Sequence, residues 1–262
     1  MKSRSILRFA LPFFFLPLLV LSAYAGTIDL GTAGSYAVLA GSAVSNTGSS
    51  VLNGNLGLSP GCAGAITGFP PGIVNGATNA CNAASGQAQL DLTKAFIQGN
   101  LLTRTGTLTG VDLGGQNLGH GVYFFATSAQ LTGQLTLNNS GNRNAVFVFQ
   151  IGTTLTTGSS SSIVFTNGPD KNVFWVVGSS ATLGTSTKFA GHILALTSIT
   201  LNNGATITCG SALARNGAVT LNNNVISTKC GTGVSTPEPG TIGLMGSGLV
   251  ILASVARRKL RI

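Results

Sequence analysis

The chain has 262 residues and a formal net charge of +9, although only 7% of its residues are charged. Much of this excess lies at the two ends, because residues 26–236 contain only seven basic and four acidic side chains. These basic residues are scattered and are not interleaved with aromatic residues. Nucleic-acid binding is therefore disfavoured, since phosphate recognition needs a clustered basic surface.

The first 25 residues are predicted to be a signal peptide. Basic residues precede an apolar run, residues 9–21, and Ala23-Tyr24-Ala25 has the small residues of a cleavage site before Gly26. The alternative is an N-terminal anchor helix, but the run is short and two prolines interrupt it.

Two contrasting segments follow. Residues 26–58 are predicted to form strands and turns, most clearly at 36–39 and 51–58. Residues 59–82 lie mostly between two cysteines and are rich in proline and glycine. They are predicted to form an irregular disulfide-tied loop or cap.

Four cysteines are present, all after the signal peptide: Cys62, Cys81, Cys209 and Cys230. An exported chain meets an oxidising compartment, so disulfides are expected. The pairs Cys62–Cys81 and Cys209–Cys230 are favoured because each closes a short loop, while the two other connectivities stay open. A zinc site is disfavoured because there is no CxxC pair and no histidine close to a cysteine. No metal or other cofactor is expected.

Residues 83–98 are predicted to be the one soluble helix. Its apolar positions form a single stripe: Ala84, Ala88, Leu92, Ala95 and Phe96. Asn79 or Asn82 could cap its start, and Gly99-Asn100 could end it. The stripe is expected to pack against a hydrophobic wall, with a partner-binding helix as the alternative.

A five-residue motif occurs five times after the helix. The copies are 128–132 (SAQLT), 152–156 (GTTLT), 180–184 (SATLG), 198–202 (SITLN) and 218–222 (AVTLN). Each alternates in the manner of a strand with one buried face. The central leucines Leu131, Leu155, Leu183, Leu201 and Leu221 are 18 to 28 residues apart. This irregular spacing indicates a solenoid with coils of unequal length.

The alternation predicts a flat, uncharged outer surface on these strands. Its outward side chains are expected to be Ser128, Gln130, Thr132, Thr154, Thr156, Ser180, Thr182, Ser198, Thr200, Asn202, Thr220 and Asn222.

Strongly apolar segments lie between the motif copies, at 122–125, 145–149, 173–177 and 192–196. They are too continuously apolar to face solvent on either side. They are predicted to form another solenoid wall, covered outside by the helix. Glycine and asparagine clusters suit the corners, where a positive φ is often needed.

The C-terminus has three parts in a fixed order. Pro237, Glu238 and Pro239 precede an apolar run, residues 241–256, which is followed by the basic residues of 257–261. As a helix the run spans about 24 Å, which is marginal for a bilayer core of about 30 Å. Its basic tail is expected to stay cytoplasmic. The order resembles the PEP-CTERM sorting signal of Gram-negative bacteria, which implies cleavage by an exosortase-type enzyme and then release or surface attachment. An ordinary tail anchor is the alternative.

Several blocks between Leu30 and Thr228 resemble the ice-binding-like domain family, DUF3494. They are 30–40 (LGTAGSYAVLA), 57–61 (GLSPG), 66–68 (ITG), 121–124 (GVYF), 144–150 (NAVFVFQ), 172–175 (NVFW), 191–195 (GHILA) and 213–218 (LARNGA). The resemblance implies an all-β fold with one long helix: an irregular right-handed triangular β-solenoid flanked by that α-helix. It also implies that a segment before the helix packs with the coils after it, and that 59–82 could be a capping insertion.

The same resemblance implies a function for the outer surface. Family members bind ice through one flat solenoid face, and the twelve outward residues fall where that face is expected. Gln130 and Gly184 depart from a pure threonine ladder. The implied organisation is a signal peptide (1–25), a solenoid domain (26–232) and a sorting signal (233–262). The protein is expected to be a secreted or surface-bound monomer that contacts a membrane only through its terminal signals.

Other functions stay open at this point. Serine and threonine ladders can simply solvate a β-helix, and a surface adhesin or matrix protein would carry the same features. A polysaccharide-active enzyme would need paired carboxylates, but Asp29, Asp91, Asp112 and Asp170 are far apart in sequence. Asp112 lies near His120, where a turn role is favoured. We therefore expect no enzymatic activity.

Overall fold

The computed structural model describes residues 28–230. The predicted signal peptide, the motif Pro237-Glu238-Pro239 and the apolar run 241–256 lie outside the described residues. Among residues 28–230, no helix is long and apolar enough to cross a membrane.

The described chain is a three-sided stack of coils in which every strand pairing is parallel. One side contains the five motif copies, and we call it the motif sheet. From one end of the stack to the other its strands are Ala129–Leu131, Leu155–Thr157, Ala181–Leu183, Ile199–Leu201, Val219–Asn222, Val44–Thr47 and Ile66–Thr67.

A second side lies under the helix, and we call it the helix-covered sheet. Its strands, in stacking order, are Gly106–Thr107, Gly121–Phe125, Phe147–Ile151, Val173–Val177, the end of Lys188–Ala195, the end of Thr206–Ala214, Tyr36–Ala40, Asn55–Leu58 and Thr78–Ala80. The apolar segments predicted for this wall all contribute to it.

The third side, called the third sheet here, completes each coil. Its strands are Asn117–Gly119, Gln134–Asn138, Ser162–Thr166, the start of Lys188–Ala195, the start of Thr206–Ala214, Val225–Ser227, Val51–Asn53 and Ile73–Val74. Two long strands bend from this side onto the helix-covered sheet. At the bend, a Cβ added to Gly210 would collide with the backbone of Gly191, so the two coils can approach closely only because residue 210 is a glycine.

The stacking order departs from chain order, as the family resemblance implies. Val44–Thr47 pairs with Val219–Asn222, and Tyr36–Ala40 pairs with Thr206–Ala214. The segment before the helix therefore continues the stack that the rest of the chain builds. Two short 3-10 turns, Gly31–Ser35 and Ala63–Ala65, lie in this segment.

The interior of the stack is apolar and contains an aromatic ladder. Phe149 lies flat on Trp175 with their ring centroids 3.9 Å apart, and Tyr123 and Phe189 extend the stack on either side. The indole N–H of Trp175 donates a hydrogen bond to the carbonyl of Ala190 at 3.0 Å. The parallel register of their strands places Tyr123, Phe149 and Trp175 above one another. Phe189 is not in this register and meets Trp175 with its ring tilted by 46°.

The single α-helix of residues 28–230 is Ala83–Leu101, three residues longer than predicted. Asn82 caps its start in a capping box with Ser85. Gly99 does not end it but lies inside it against Val176 of the helix-covered sheet. The predicted end was wrong because this glycine serves close packing rather than termination.

The packed stripe of the helix also differs from the prediction at two positions, because Ala84 is exposed and Phe96 is only half-buried against the wall. Its buried residues are Ser85, Ala88, Leu92, Ala95 and Gly99. Ala84 is exposed, because the capping box turns Ser85 inward in its place. The helix end is fixed by the buried Gln150, whose amide donates to the carbonyls of Gly99 and Leu102 at 2.8 and 2.9 Å.

The segment 59–82 lies at one end of the stack, where a cap belongs, but it is not irregular. Its strands Ile66–Thr67, Ile73–Val74 and Thr78–Ala80 add one short strand to each of the three sides. The structure joins Cys62 to Cys81 and Cys209 to Cys230, which confirms the favoured pairing. The prolines and glycines form the tight corners of a complete end coil.

Candidate functional site

The motif sheet brings all five predicted copies side by side. None of the twelve predicted outward residues is buried, whereas the alternate positions, such as Ala129, Leu131, Ala181 and Leu183, are fully inside. The outward residues form three parallel files along the stack. Neighbours within a file are about 4.8 Å apart, and adjacent files are about 6.6 Å apart along each strand.

The second copy is aligned two residues differently from the prediction. Leu155 pairs with Ala129 and Ala181, and Thr157 pairs with Leu131. The prediction that Leu155 aligns with the other central leucines was therefore wrong. At this coil Thr157 takes the inward position that leucine takes in the other copies. A shift of two residues keeps the same face outward, so Thr154 and Thr156 still face outward but change files.

Thr157 can replace a leucine because its hydroxyl is satisfied inside the stack. It lies 2.9 Å from the hydroxyl of Thr187 and accepts a hydrogen bond from the N–H of Gly184 at 2.8 Å. A buried hydroxyl without such partners would be destabilising. The internal hydrogen bonds therefore explain how the motif can vary here without loss of register.

The central file is the most regular feature of the motif sheet. Paired in register, it consists of Gln130, Thr156, Thr182, Thr200, Thr220, Ser45 and Thr67. Within residues 28–230, the hydroxyls of its threonines make no hydrogen bond to another protein group. These hydroxyls are consequently available to water, while their β-branched side chains are stiff.

Two less regular files flank the central one. The first contains Ser128, Thr154, Ser180 and Ser198. Here the hydroxyls of Ser180 and Ser198 accept hydrogen bonds from the backbone N–H of the next coil at 3.3 Å. The second contains Thr132, Asn202, Asn222 and Thr47, but Gly158 and Gly184 interrupt it. Among the three files of the described sheet, the central one therefore has an unbroken row of hydroxyls that make no hydrogen bond to the protein.

Sequence reasoning missed Ser45, Thr47 and Thr67, which extend this surface. They precede the helix, and only the stacking order brings them next to Thr220 and Asn222. The alternation of Val44–Thr47 was a signal for a strand, but Asn46 stands where the other copies have leucine. The amide of Asn46 donates to the carbonyls of Gly48 and Gly68, both at 2.8 Å, which holds it inward.

A charged residue, Asp112, lies beside the central file at one end of the described sheet. It forms an isolated bridge with Gln130, and its carboxylate accepts hydrogen bonds from the N–H of Gly114 and Thr132 at 2.7 and 2.9 Å. Desolvation favours the neutral acid, but these hydrogen bonds outweigh it and lower the pKa of Asp112. Asp112 therefore closes a turn at the sheet edge, as favoured from the sequence, and contacts no histidine.

No alternative chemical site emerges elsewhere in the described residues. They contain no group of three or more His, Cys, Asp or Glu side chains that could hold a metal ion. His192 lies 2.8 Å from the Ser211 hydroxyl on the helix-covered sheet, where burial lowers its pKa to about 4. This pair lies away from the motif sheet and no carboxylate orients it.

Comparison with known proteins identifies two segments of the chain. Residues 38–227 match the family model described as ice-binding-like, and residues 235–259 match the PEP-CTERM protein-sorting motif. An ice-binding protein of a Nostoc strain is 53% identical over 237 residues, which cover 88% of this chain and 87% of the relative. An ice-binding protein of the fungus Typhula ishikariensis is 32% identical over 197 residues, covering 66% of this chain and 79% of the relative.

Solved structures show the same similarity in three dimensions. The crystal structure of an ice-binding protein from the Antarctic ascomycete Antarctomyces psychrotrophicus superposes with a TM-score of 0.74 at 42% identity, covering 78% of this chain and 99% of that one. The DUF3494 domain of an ice-binding protein from Shewanella frigidimarina gives a TM-score of 0.72 at 27% identity, covering 78% and 98%.

Proposed function

Because this chain belongs to the ice-binding-like family, we propose that it binds ice through the motif sheet, with the central file as the main contact. The family and its relatives are ice-binding proteins and not enzymes. The motif sheet carries no charged side chain on any of its seven strands. Ice presents a periodic array of water molecules, and a rigid periodic row of hydroxyls and methyls can match it.

The observation that carries this proposal is the unbroken row Thr156, Thr182, Thr200 and Thr220. These side chains are in register on adjacent strands, and their hydroxyls have no protein partner among the described residues. Because threonine is stiff at χ1, docking costs little side-chain entropy. The flanking residues Ser128, Thr132, Thr154, Ser180, Ser198, Asn202 and Asn222 widen the surface.

The direct test uses the purified chain 26–236. It should shape growing ice crystals and inhibit their recrystallisation. Ordinary disc-shaped crystals at high protein concentration, together with unrestrained recrystallisation, would contradict ice binding.

The ends of the chain support a proposal about its location. Residues 235–259 match a sorting motif, and residues 1–25 have the order of a signal peptide. We infer that export removes residues 1–25, that an exosortase-type enzyme acts at 233–262, and that the mature domain is a secreted or surface-bound monomer in a Gram-negative bacterium. Mass spectrometry of the exported protein should find Gly26 at its N-terminus and no apolar run 241–256.

A second role follows if the processed chain stays on the cell. The sorting motif then presents the motif sheet at the cell surface, where ice binding makes the cell adhere to ice. Cells that express the chain should bind ice, and cells that secrete it freely should not.

A further inference from the structure

The helix has a second apolar stripe that the solenoid does not cover. Leu90, Ile97 and Leu101 are 59%, 52% and 78% exposed. They are spaced by seven and four residues, so they lie on one face of the helix. That face is opposite the stripe of Ala88, Leu92 and Ala95 that packs on the helix-covered sheet. We call the three exposed residues the outer stripe.

The surroundings of the outer stripe are apolar with little net charge. A groove beside it is lined by Lys94, Ile97, Gln98, Leu101 and Leu102. Lys94 forms an ion pair with Asp91, with Nζ and Oδ1 3.3 Å apart. The long stem of a lysine can lie along an apolar surface while its ammonium stays in water. Large apolar side chains aligned on one face are a recognised mark of an interaction site.

Two candidate partners fit this stripe poorly. A stable dimer needs about 800 Å² of buried surface per protomer, more than three side chains on one helix face supply. The chain's own run 241–256 is largely apolar and uncharged in sequence, and three side chains on the helix could cover only a small part of it, so docking on the stripe would leave most of that run exposed to water. A lipid surface does not need a large protein interface, and it covers the outer stripe and the run 241–256 at the same time.

We propose that, before the exosortase-type enzyme acts, the outer stripe rests on a lipid surface while the C-terminal sorting segment holds the chain at a bilayer. We call residues 231–240, which join the solenoid to the apolar run, the tether. It starts after Cys230, and the disulfide between Cys230 and Cys209 fixes this starting point to the solenoid. The ten residues 231–240 reach about 35 Å at full extension. A tether of this length keeps the stripe at a high effective concentration near the lipid, so a weak apolar contact is sufficient. Helices with one apolar face lie at membrane interfaces in this manner.

This contact would set the orientation of the molecule. The helix covers one side of the three-sided stack, and the motif sheet forms another. With the outer stripe on lipid, the motif sheet stays exposed to the medium. Lipid contact at the outer stripe is independent of ice binding and can be tested without ice.

The test measures the depth of single indoles in vesicles. The chain 26–262 is reconstituted in phosphatidylethanolamine and phosphatidylglycerol vesicles, and only protein that floats with them is measured. Leu101→Trp places an indole on the outer stripe, and Ile73→Trp places one on the third sheet, where Ile73 is 53% exposed. The native Trp175 is fully buried inside the stack and serves as an internal reference.

Brominated lipids should quench the emission added by Leu101→Trp and leave that of Ile73→Trp unchanged. Adding Leu90→Glu and Ile97→Glu to Leu101→Trp should abolish the quenching. Equal quenching at both positions, or none at either, would overturn the proposal. A blue shift of Leu101→Trp that grows with protein concentration without vesicles, and no quenching with them, would assign the stripe to a second copy instead.

Discussion

The hydroxyls of Thr157 and Thr187 lie 2.9 Å apart inside the solenoid, on adjacent coils of the stack. Both residues are buried, at 3% and 0% exposure. Thr156, the preceding residue, faces outward in the central file. Two neighbouring threonines therefore have opposite roles, one in stability and the other on the proposed ice-binding surface.

Replacing each of these threonines by valine should separate the two roles. Thr157→Val leaves the N–H of Gly184 without its partner, so the free energy of unfolding should fall by about 1–3 kcal/mol. Thr156→Val should change it by less than about 0.5 kcal/mol. Denaturant unfolding measures both, and equal stability of the two variants would show that the buried pair contributes nothing.

The same pair of residues explains one limit of the sequence reading. Alternation correctly predicted which face of each motif strand is outward, because burial repeats every two residues. It could not fix the register of the second copy, since the residues from Gly152 to Gly158 fit the motif in two alignments, 152–156 and 154–158. Only the internal partners of Thr157 decide between them.

Long-range stacking was the second limit. The five copies after the helix were recognisable because they repeat in one order along the chain. Ser45 and Thr67 join the same file only through pairings that cross the helix. The helix itself was predicted from its stripe, but the role of Gly99 depends on how closely Val176 approaches.

Two helix glycines should respond oppositely to alanine. A Cβ at Gly99 would lie 2.6 Å from Cγ2 of Val176, so Gly99→Ala must lift the helix and should destabilise the protein by about 1–3 kcal/mol. A Cβ at Gly86 would meet only Ser59, at 3.9 Å, so Gly86→Ala should stabilise it by about 0.5–1 kcal/mol. Thermal unfolding compares them, and a stabilising Gly99→Ala would refute the tight contact.

The segment before the helix should matter for ice binding. Ser45 is next to Thr220 in the central file, so Ser45→Lys should reduce recrystallisation inhibition about as strongly as Thr220→Lys. Val225→Lys, on the third sheet, is the control and should keep full activity. If Ser45→Lys behaves like this control, the surface ends at Thr220.

Acid should weaken the attachment of the N-terminal segment to the helix. The hydroxyl and N–H of Thr32 donate to Asp91 at 2.8 and 3.0 Å and lower its pKa from 3.8 to about 2. A lowered carboxyl pKa stabilises the fold above the unfolded value, and this contribution is lost as the pH falls from 3.8 through about 2. The free energy of unfolding of Asp91→Asn should therefore depend less on pH in this window than that of the wild type. Identical slopes would argue against a contribution from Asp91.

The central claim is that ice binds the regular row of free hydroxyls in the middle of the motif sheet. Thr182 and Thr200 are in register at the centre of that row, and a lysine at either position would place a hydrated charge there. The most direct measurement is ice-crystal morphology with Thr182→Lys and Thr200→Lys, beside Gln134→Lys on the third sheet as the matched control. We predict disc-shaped crystals for the first two variants and faceted crystals for the control, with all three proteins folded. Faceted crystals from both threonine variants would contradict the assignment of this face.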